Sequence, residues 1–269
     1  MTLAACEWIF AGAPLEEVLR RLRAAGIEGV ELTGEPARAD RERIAEALAA
    51  AGMRATGITA VCMAPTDERD LAHPDAAARR RAVDYYRGCV DLALAAGASA
   101  IGLIPTAVGR VDGDPAAAWR LAVEAAREVL EYARERGVAV GVEAVNRYES
   151  FLVNTAEQAL AFADEMGGAG VILDAFHMQL EEADSAAAVA AAAPRLVALH
   201  LADSNRLGLG RGQLDVARVV AAARGAGYAG PLVFEFTAPG PNPFSADKGE
   251  AAMRLLDDFA AESAAAVAA

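Results

Sequence analysis

The chain has 269 residues, 55% of them hydrophobic, and carries 38 acidic against 25 basic side chains for a net charge of −13. That length holds one large barrel domain or two small domains. The acidity excludes a nucleic-acid binder, which needs Lys and Arg to displace counterions, and argues equally against docking on an anionic membrane.

Along the chain, short apolar runs alternate with longer amphipathic stretches, the mark of a βα repeat. The runs predict strands near 2–10, 27–33, 53–61, 98–105, 137–144, 169–175, 195–202 and 231–237. Helical patterns fill 14–25, 38–51, 74–96, 114–136, 155–166, 182–193, 214–226 and 246–264. Asp114-Pro115 and Asn154-Thr155 read as helix starts, with a side-chain cap in each and Pro at an early helical position in the first. Gly26, Gly52, Gly97 and Gly137 stand where helices should stop before the next strand. The Ala-rich end, 259–269, reads as a fraying last helix.

Eight strands and eight helices over 1–269 predict a single-domain α/β protein, a (β/α)8 TIM barrel. A doubly wound open sheet would carry a Gly-rich turn after its first strand, and residues 8–14 lack one. Cys6, Cys62 and Cys89 form no CxxC pair, and the N-terminus has neither a basic leader nor a long apolar run. The expectation is a reduced, cytoplasmic enzyme with no transmembrane span.

Four predicted strands in the second half end in residues that ligate metals. Run 137–142 leads to Glu143, run 170–173 to Asp174, run 196–199 to His200 and run 231–234 to Glu235. Charges at the ends of buried strands are costly unless paired or bound to a metal. A parallel barrel makes such strand ends converge, so the four residues form a candidate oxygen-rich divalent-metal site. A buried structural salt bridge is credible for any one of these acids and much less so for four on consecutive strands.

The following loops add polar groups. Asn146, Arg147, Tyr148 and Glu149 follow Glu143, and His177 follows Asp174 three residues on. Taken alone, Glu149 reads as a solvated loop charge. Of the three histidines, His177 and His200 occupy candidate site positions, while His73 before Pro74 reads as structural. Asp203 reads as a partner for an imidazole or guanidinium, and Arg206 as a binder of substrate oxygens. The Gly-rich stretch 207–213 lies between strands seven and eight, where barrels often bind phosphate, so a phosphorylated substrate stays open. Trp8 and Phe10 are candidates to line the pocket, and Trp119 reads as helix packing.

With Glu143-x-x-Asn146-Arg147-Tyr148-Glu149, Leu173-Asp174-x-Phe176-His177-Met178 and His200-x-x-Asp203-x-Asn205-Arg206 in view, the chain resembles the xylose isomerase-like superfamily of sugar isomerases and epimerases. Within it the chain is most similar to the ketose 3-epimerases that act on D-tagatose and D-psicose. The resemblance implies one divalent metal on Glu143, Asp174, His200 and Glu235, with Mn expected and Mg or Co also suitable. It implies that Glu143 and Glu235 are catalytic, moving the C3 proton through a metal-stabilised enediolate. It further implies that Glu149, His177 and Arg206 bind a small sugar substrate, and that the protein is a homodimer or homotetramer. The loop 207–213 departs from the pattern, with Leu and Gln where many relatives show Pro and often His.

Two other reactions share this equipment: aldose–ketose isomerisation of the hydroxypyruvate isomerase type, and elimination by a lyase or dehydratase acting on an inosose or keto-sugar. The AP endonuclease branch of the superfamily needs a His-rich multi-metal cluster and a basic face, which three histidines and a charge of −13 exclude.

Overall fold

The computed structural model describes residues 1–10, 12–62, 67–240 and 249–268. Eight strands pair in chain order into a closed, wholly parallel barrel, β8 returning to β1. They are β1 (Leu3–Cys6), β2 (Gly29–Gly34), β3 (Arg54–Ala60), β4 (Ala100–Leu103), β5 (Ala139–Ala144), β6 (Gly170–Asp174), β7 (Leu196–Leu201) and β8 (Leu232–Phe234). The helices are α1 (Leu15–Ala24), α2 (Arg41–Ala51), α3 (Ala76–Ala96), α4 (Pro115–Arg134), α5 (Ala156–Glu165), α6 (Ala175–Glu181), α7 (Ser185–Ala192), α8 (Val216–Gly225) and α9 (Gly249–Ala268).

The predicted barrel is therefore present, and its eight strands fall inside or beside the predicted runs. The strands are mostly shorter than the runs, β8 covering only Leu232–Phe234, and three further differences bear on the site and the chain end. The first strand stops at Cys6, because residues Glu7–Phe10 wind into a 3-10 turn that carries Trp8 over the barrel mouth. The short helix α6 was not expected, since it follows β6 without a loop: Asp174 ends the strand and caps the helix by accepting from the Phe176 N–H at 2.7 Å. The last helix does not fray where it is described. It runs to Ala268 with Phe259, Ala260, Ser263 and Val267 buried, while its expected start at 246 lies outside the described residues.

Local chemistry accounts for the helix ends. Asp114 accepts from Ala116 and Ala117 N–H with Pro115 in the first turn, and Thr155 forms a capping box with Gln158. Gly52 and Gly97 close α2 and α3 in the left-handed region, at φ 61° and 69°.

The barrel interior is filled by side chains from alternating strand positions. Close packing there uses two glycines. A Cβ on Gly141 would lie 2.6 Å from Ile172 Cγ1, and one on Gly170 would overlap Val197. Filling the lower barrel this way leaves the upper layer, at the carboxyl ends of the strands, to polar groups. Among the described residues, no helix is long and apolar enough to cross a membrane.

Candidate metal and sugar site

The carboxyl ends of β5 to β8 bring Glu143, Asp174, His200 and Glu235 together. Each offers a ligand atom, and these atoms lie within 4.8 Å of one another with all four residues buried. Strand register produces the cluster, because Asp174 pairs with His200 across β6 and β7. Glu235 follows β8 and ties back through its N–H to the Leu201 carbonyl at 3.0 Å.

His200 Nδ1 lies 3.3 Å from Glu235 Oε2 and 3.6 Å from Glu143 Oε1. Asp174 spends Oδ1 on its helix cap, and its fully buried Oδ2 has no hydrogen-bond partner. With only His177 Nε2 at 3.7 Å and Arg206 Nη2 at 3.8 Å nearby, that buried oxygen is expensive unless a closer cation meets it. Three carboxylates and one imidazole form a donor set that suits a hard or borderline divalent ion. The residues present thus fit a metal on both geometry and chemistry.

Electrostatics separates the two glutamates. Burial is the largest influence on Glu143 and, with the Glu235 and Asp174 charges, outweighs His200 to push its carboxyl up to about 7. Burial also works against the Glu235 carboxylate, but His200 and Arg206 overcome it and hold Glu235 down at about 2. Glu235 is further fixed by the Trp8 indole, which donates to Oε1 at 2.9 Å, and by Arg206 Nη2, which donates to Oε2 at 3.2 Å.

The three expected sugar-binding residues line the same cleft, of about 220 Å³, together with Trp8, Glu143 and Glu235. Asn146 connects them, its amide donating to Glu149 Oε1 at 2.9 Å and lying 2.7 Å from His177 Nδ1. Burial, the dominant influence, pushes His177 down to about 3, so its ring is neutral near pH 7. His177 Nδ1 faces the Asn146 amide, and Nε2 lies 3.5 Å from Arg206 Nη1 and 3.7 Å from Asp174 Oδ2. Arg206 occupies the left-handed region at φ 59°, the only non-Gly residue to do so among the described residues. Thr237 N–H holds the Arg206 carbonyl at 2.7 Å, and the guanidinium lies 4.7 Å from the Phe176 ring centroid.

The family model of the xylose isomerase-like TIM barrel matches residues 19–258. The chain belongs to this family. An L-ribulose 3-epimerase of Mesorhizobium japonicum is 33% identical over 230 residues, covering 84% of this chain and 76% of that protein. A ketose 3-epimerase of Arthrobacter globiformis is 32% identical over 223 residues, covering 81% and 75%. The crystal structure of a D-allulose 3-epimerase from Methylomonas sp. in complex with D-allulose matches with a TM-score of 0.85 at 26% identity, over 98% of this chain and 95% of that one.

This xylose isomerase-like barrel departs from two expectations around its rim, at Asp203 and Phe10. Asp203 holds neither an imidazole nor a guanidinium. Its carboxylate accepts from the N–H groups of Ser204 at 2.7 Å, Gly210 at 2.8 Å and Leu214 at 3.0 Å, curling the Gly-rich loop around itself. A Cβ on Gly212 would collide with Asp203 Oδ1, which explains a glycine there. Phe10 is buried and lines an adjoining groove instead of the central cleft. Trp119 packs edge-on against Phe162 at 5.1 Å, and His73 Nδ1 accepts from the Asp75 N–H at 3.0 Å, both as expected.

Two buried residues near the cluster escaped the reading of the sequence. Glu31, on β2, places Oε1 3.3 Å from His200 Nε2, and Thr59, on β3, donates to that same oxygen at 2.7 Å. The available signal was Glu31 itself, an acid inside the apolar run of β2.

Proposed function

We propose that the protein is a divalent-metal-dependent sugar epimerase that inverts C3 of a free ketose. Glu143, Asp174, His200 and Glu235 hold one metal in this reading, with Mn, Mg or Co as the suitable ions. The observation that carries the proposal is the pair of buried carboxylates, Glu143 and Glu235, both within 3.6 Å of His200 Nδ1 and both lining the cleft. The names of the relatives, L-ribulose and ketose 3-epimerases, point the same way.

A bound divalent ion would supply Lewis-acid polarisation of the ketose carbonyl. The residues do the rest. One of Glu143 and Glu235 takes the proton from C3, which flattens. The other returns a proton to the opposite face, and both recover their starting states by exchange with water. The Trp8 and Arg206 contacts favour Glu235 as the ionised partner, and burial favours a protonated Glu143. His177, Glu149 and Arg206 orient the carbonyl and adjacent hydroxyls. Ile104, Val108 and Val145 form an apolar side to the cleft that keeps water from the reacting carbon.

A free sugar fits better than a phosphorylated one. The N–H groups that a phosphate would use in the β7–α8 loop are already engaged by Asp203, which acts as a built-in anion. Three buried, unpaired thiols suit the reducing cytoplasm, and a homodimer or homotetramer follows from the family resemblance. The test of the substrate class is the rate on a free ketose against its terminal phosphate ester. A preference for the ester would remove the free-sugar reading.

A further inference from the structure

Glu31 and Thr59 lie on β2 and β3, yet Glu31 reaches His200 and Thr59 holds Glu31. Glu31 is 3% exposed, and it is the only carboxylate within 4.0 Å of His200 Nε2 among the described residues, at 3.3 Å. That nitrogen is buried and has no aligned hydrogen-bond partner, so Glu31 stands close without the contact being fully made. The Glu31 side chain is itself built in. Thr59 donates to Oε1 at 2.7 Å, and Gly57 leaves room beside Oε2, where an added Cβ would sit 3.1 Å away. Cys6 Sγ lies 3.6 Å from Thr59 Oγ1, so β1, β2 and β3 all contribute to one small polar cluster under the imidazole.

An imidazole can present only one lone pair when neutral. If Nδ1 faces the cation, the proton must sit on Nε2, and a carboxylate behind that N–H fixes both tautomer and ring orientation. We infer that Glu31, held by Thr59, is a positioning residue that keeps the His200 proton on Nε2 and its Nδ1 lone pair toward the metal. The inference rests on the proposed metal reading of the four-residue cluster. It assigns the first three strands a share in metal affinity although they supply no ligand.

The experiment is Mn²⁺ titration of chelator-treated protein by calorimetry, with ¹⁵N spectra of the Mg²⁺-loaded, diamagnetic form. With three histidines in the chain, the imidazole signals are few enough to assign by substitution. Wild-type protein should bind one Mn²⁺ and show His200 as a single Nε2–H tautomer. Glu31→Ala should bind about 10- to 100-fold more weakly and show mixed tautomers. Glu31→Gln, which keeps an acceptor oxygen, should fall between. Thr59→Val, a near-isosteric change, should weaken Mn²⁺ binding while leaving the melting point of the chelated protein close to wild type, and it stands in should Glu31→Ala not fold. A purely structural role for Glu31 would lower the melting point without moving affinity or tautomer. Unchanged affinity and a retained single tautomer in both Glu31→Ala and Thr59→Val overturn the inference while leaving the metal site intact. Wild-type protein that binds no stoichiometric Mn²⁺ overturns the metal reading and the inference with it.

Discussion

Glu143 and Glu235 approach the same imidazole nitrogen yet differ in charge habit, and the difference comes from their neighbours. Glu235 has the Trp8 indole and Arg206 as donors, whereas Glu143 has burial and two like charges. Replacing either with Gln keeps its size and removes its base. Each variant should lose at least about 100-fold in C3 proton exchange, the scale of general acid–base catalysis, while still binding metal weakly. Substantial turnover in both Gln variants would sink the two-carboxylate assignment. The raised Glu143 carboxyl also sets a pH dependence. A cation must displace its proton, so Mn²⁺ affinity should fall as pH drops through about 7, with protons released on binding. The stability sign follows from the same shift. In chelated protein the folded Glu143 keeps its proton above the ordinary value of 4.5, so this group's contribution to stability declines as pH rises from there through about 7. The rise in melting temperature on adding Mn²⁺ should therefore be larger at about pH 8 than at about pH 5.5. Thermal scans with and without metal check this, and a rise that shrinks with increasing pH contradicts it.

At the scale of elements, a barrel glycine and a loop aspartate support the site. Gly141 on β5 faces Ile172 in the barrel interior, two residues before Glu143. Gly141→Ala should destabilise the fold by about 1–3 kcal/mol through overpacking, measured by denaturant unfolding. The loop after β7 depends instead on Asp203. Asp203→Ala would strand buried N–H groups at a penalty of about 1–3 kcal/mol and loosen the loop that carries Arg206. The expected signature is a raised KM with a smaller change in kcat, read from steady-state kinetics. Much of this level could be read from the chain. Buried parallel strands are continuous Val, Ile and Leu runs, so their ends, and with them Glu143, Asp174, His200 and Glu235, stand out without an alignment. What escaped did so for physical reasons. The segment after Cys6 is as apolar as the strand before it, so only its turn geometry separates them. Helix α6 lacks any preceding loop because Asp174 serves strand and helix at once. The role of Asp203 depends on how the loop folds back on it, which spacing does not encode. Glu31 reaches its partner across the barrel from a position 169 residues away in sequence.

For the molecule as a whole, the closed barrel divides the labour. Strands β5 to β8 carry the candidate ligands, β1 to β3 pack polar groups behind His200, and the lower interior is filled by apolar side chains. Because three carboxylates converge with one imidazole at the strand ends, removing a bound cation leaves their repulsion uncompensated. Chelation should therefore lower the melting temperature reversibly, with Mn²⁺ restoring it, and a melting point indifferent to both chelator and Mn²⁺ would contradict a metal at this position. The most direct test of the central claim is incubation of Mn²⁺-loaded protein with free ketoses in D₂O, followed by NMR. The account predicts deuterium at C3 together with the C3 epimer. Exchange confined to C1 with formation of an aldose, or no exchange on any free ketose while metal is bound, would contradict it.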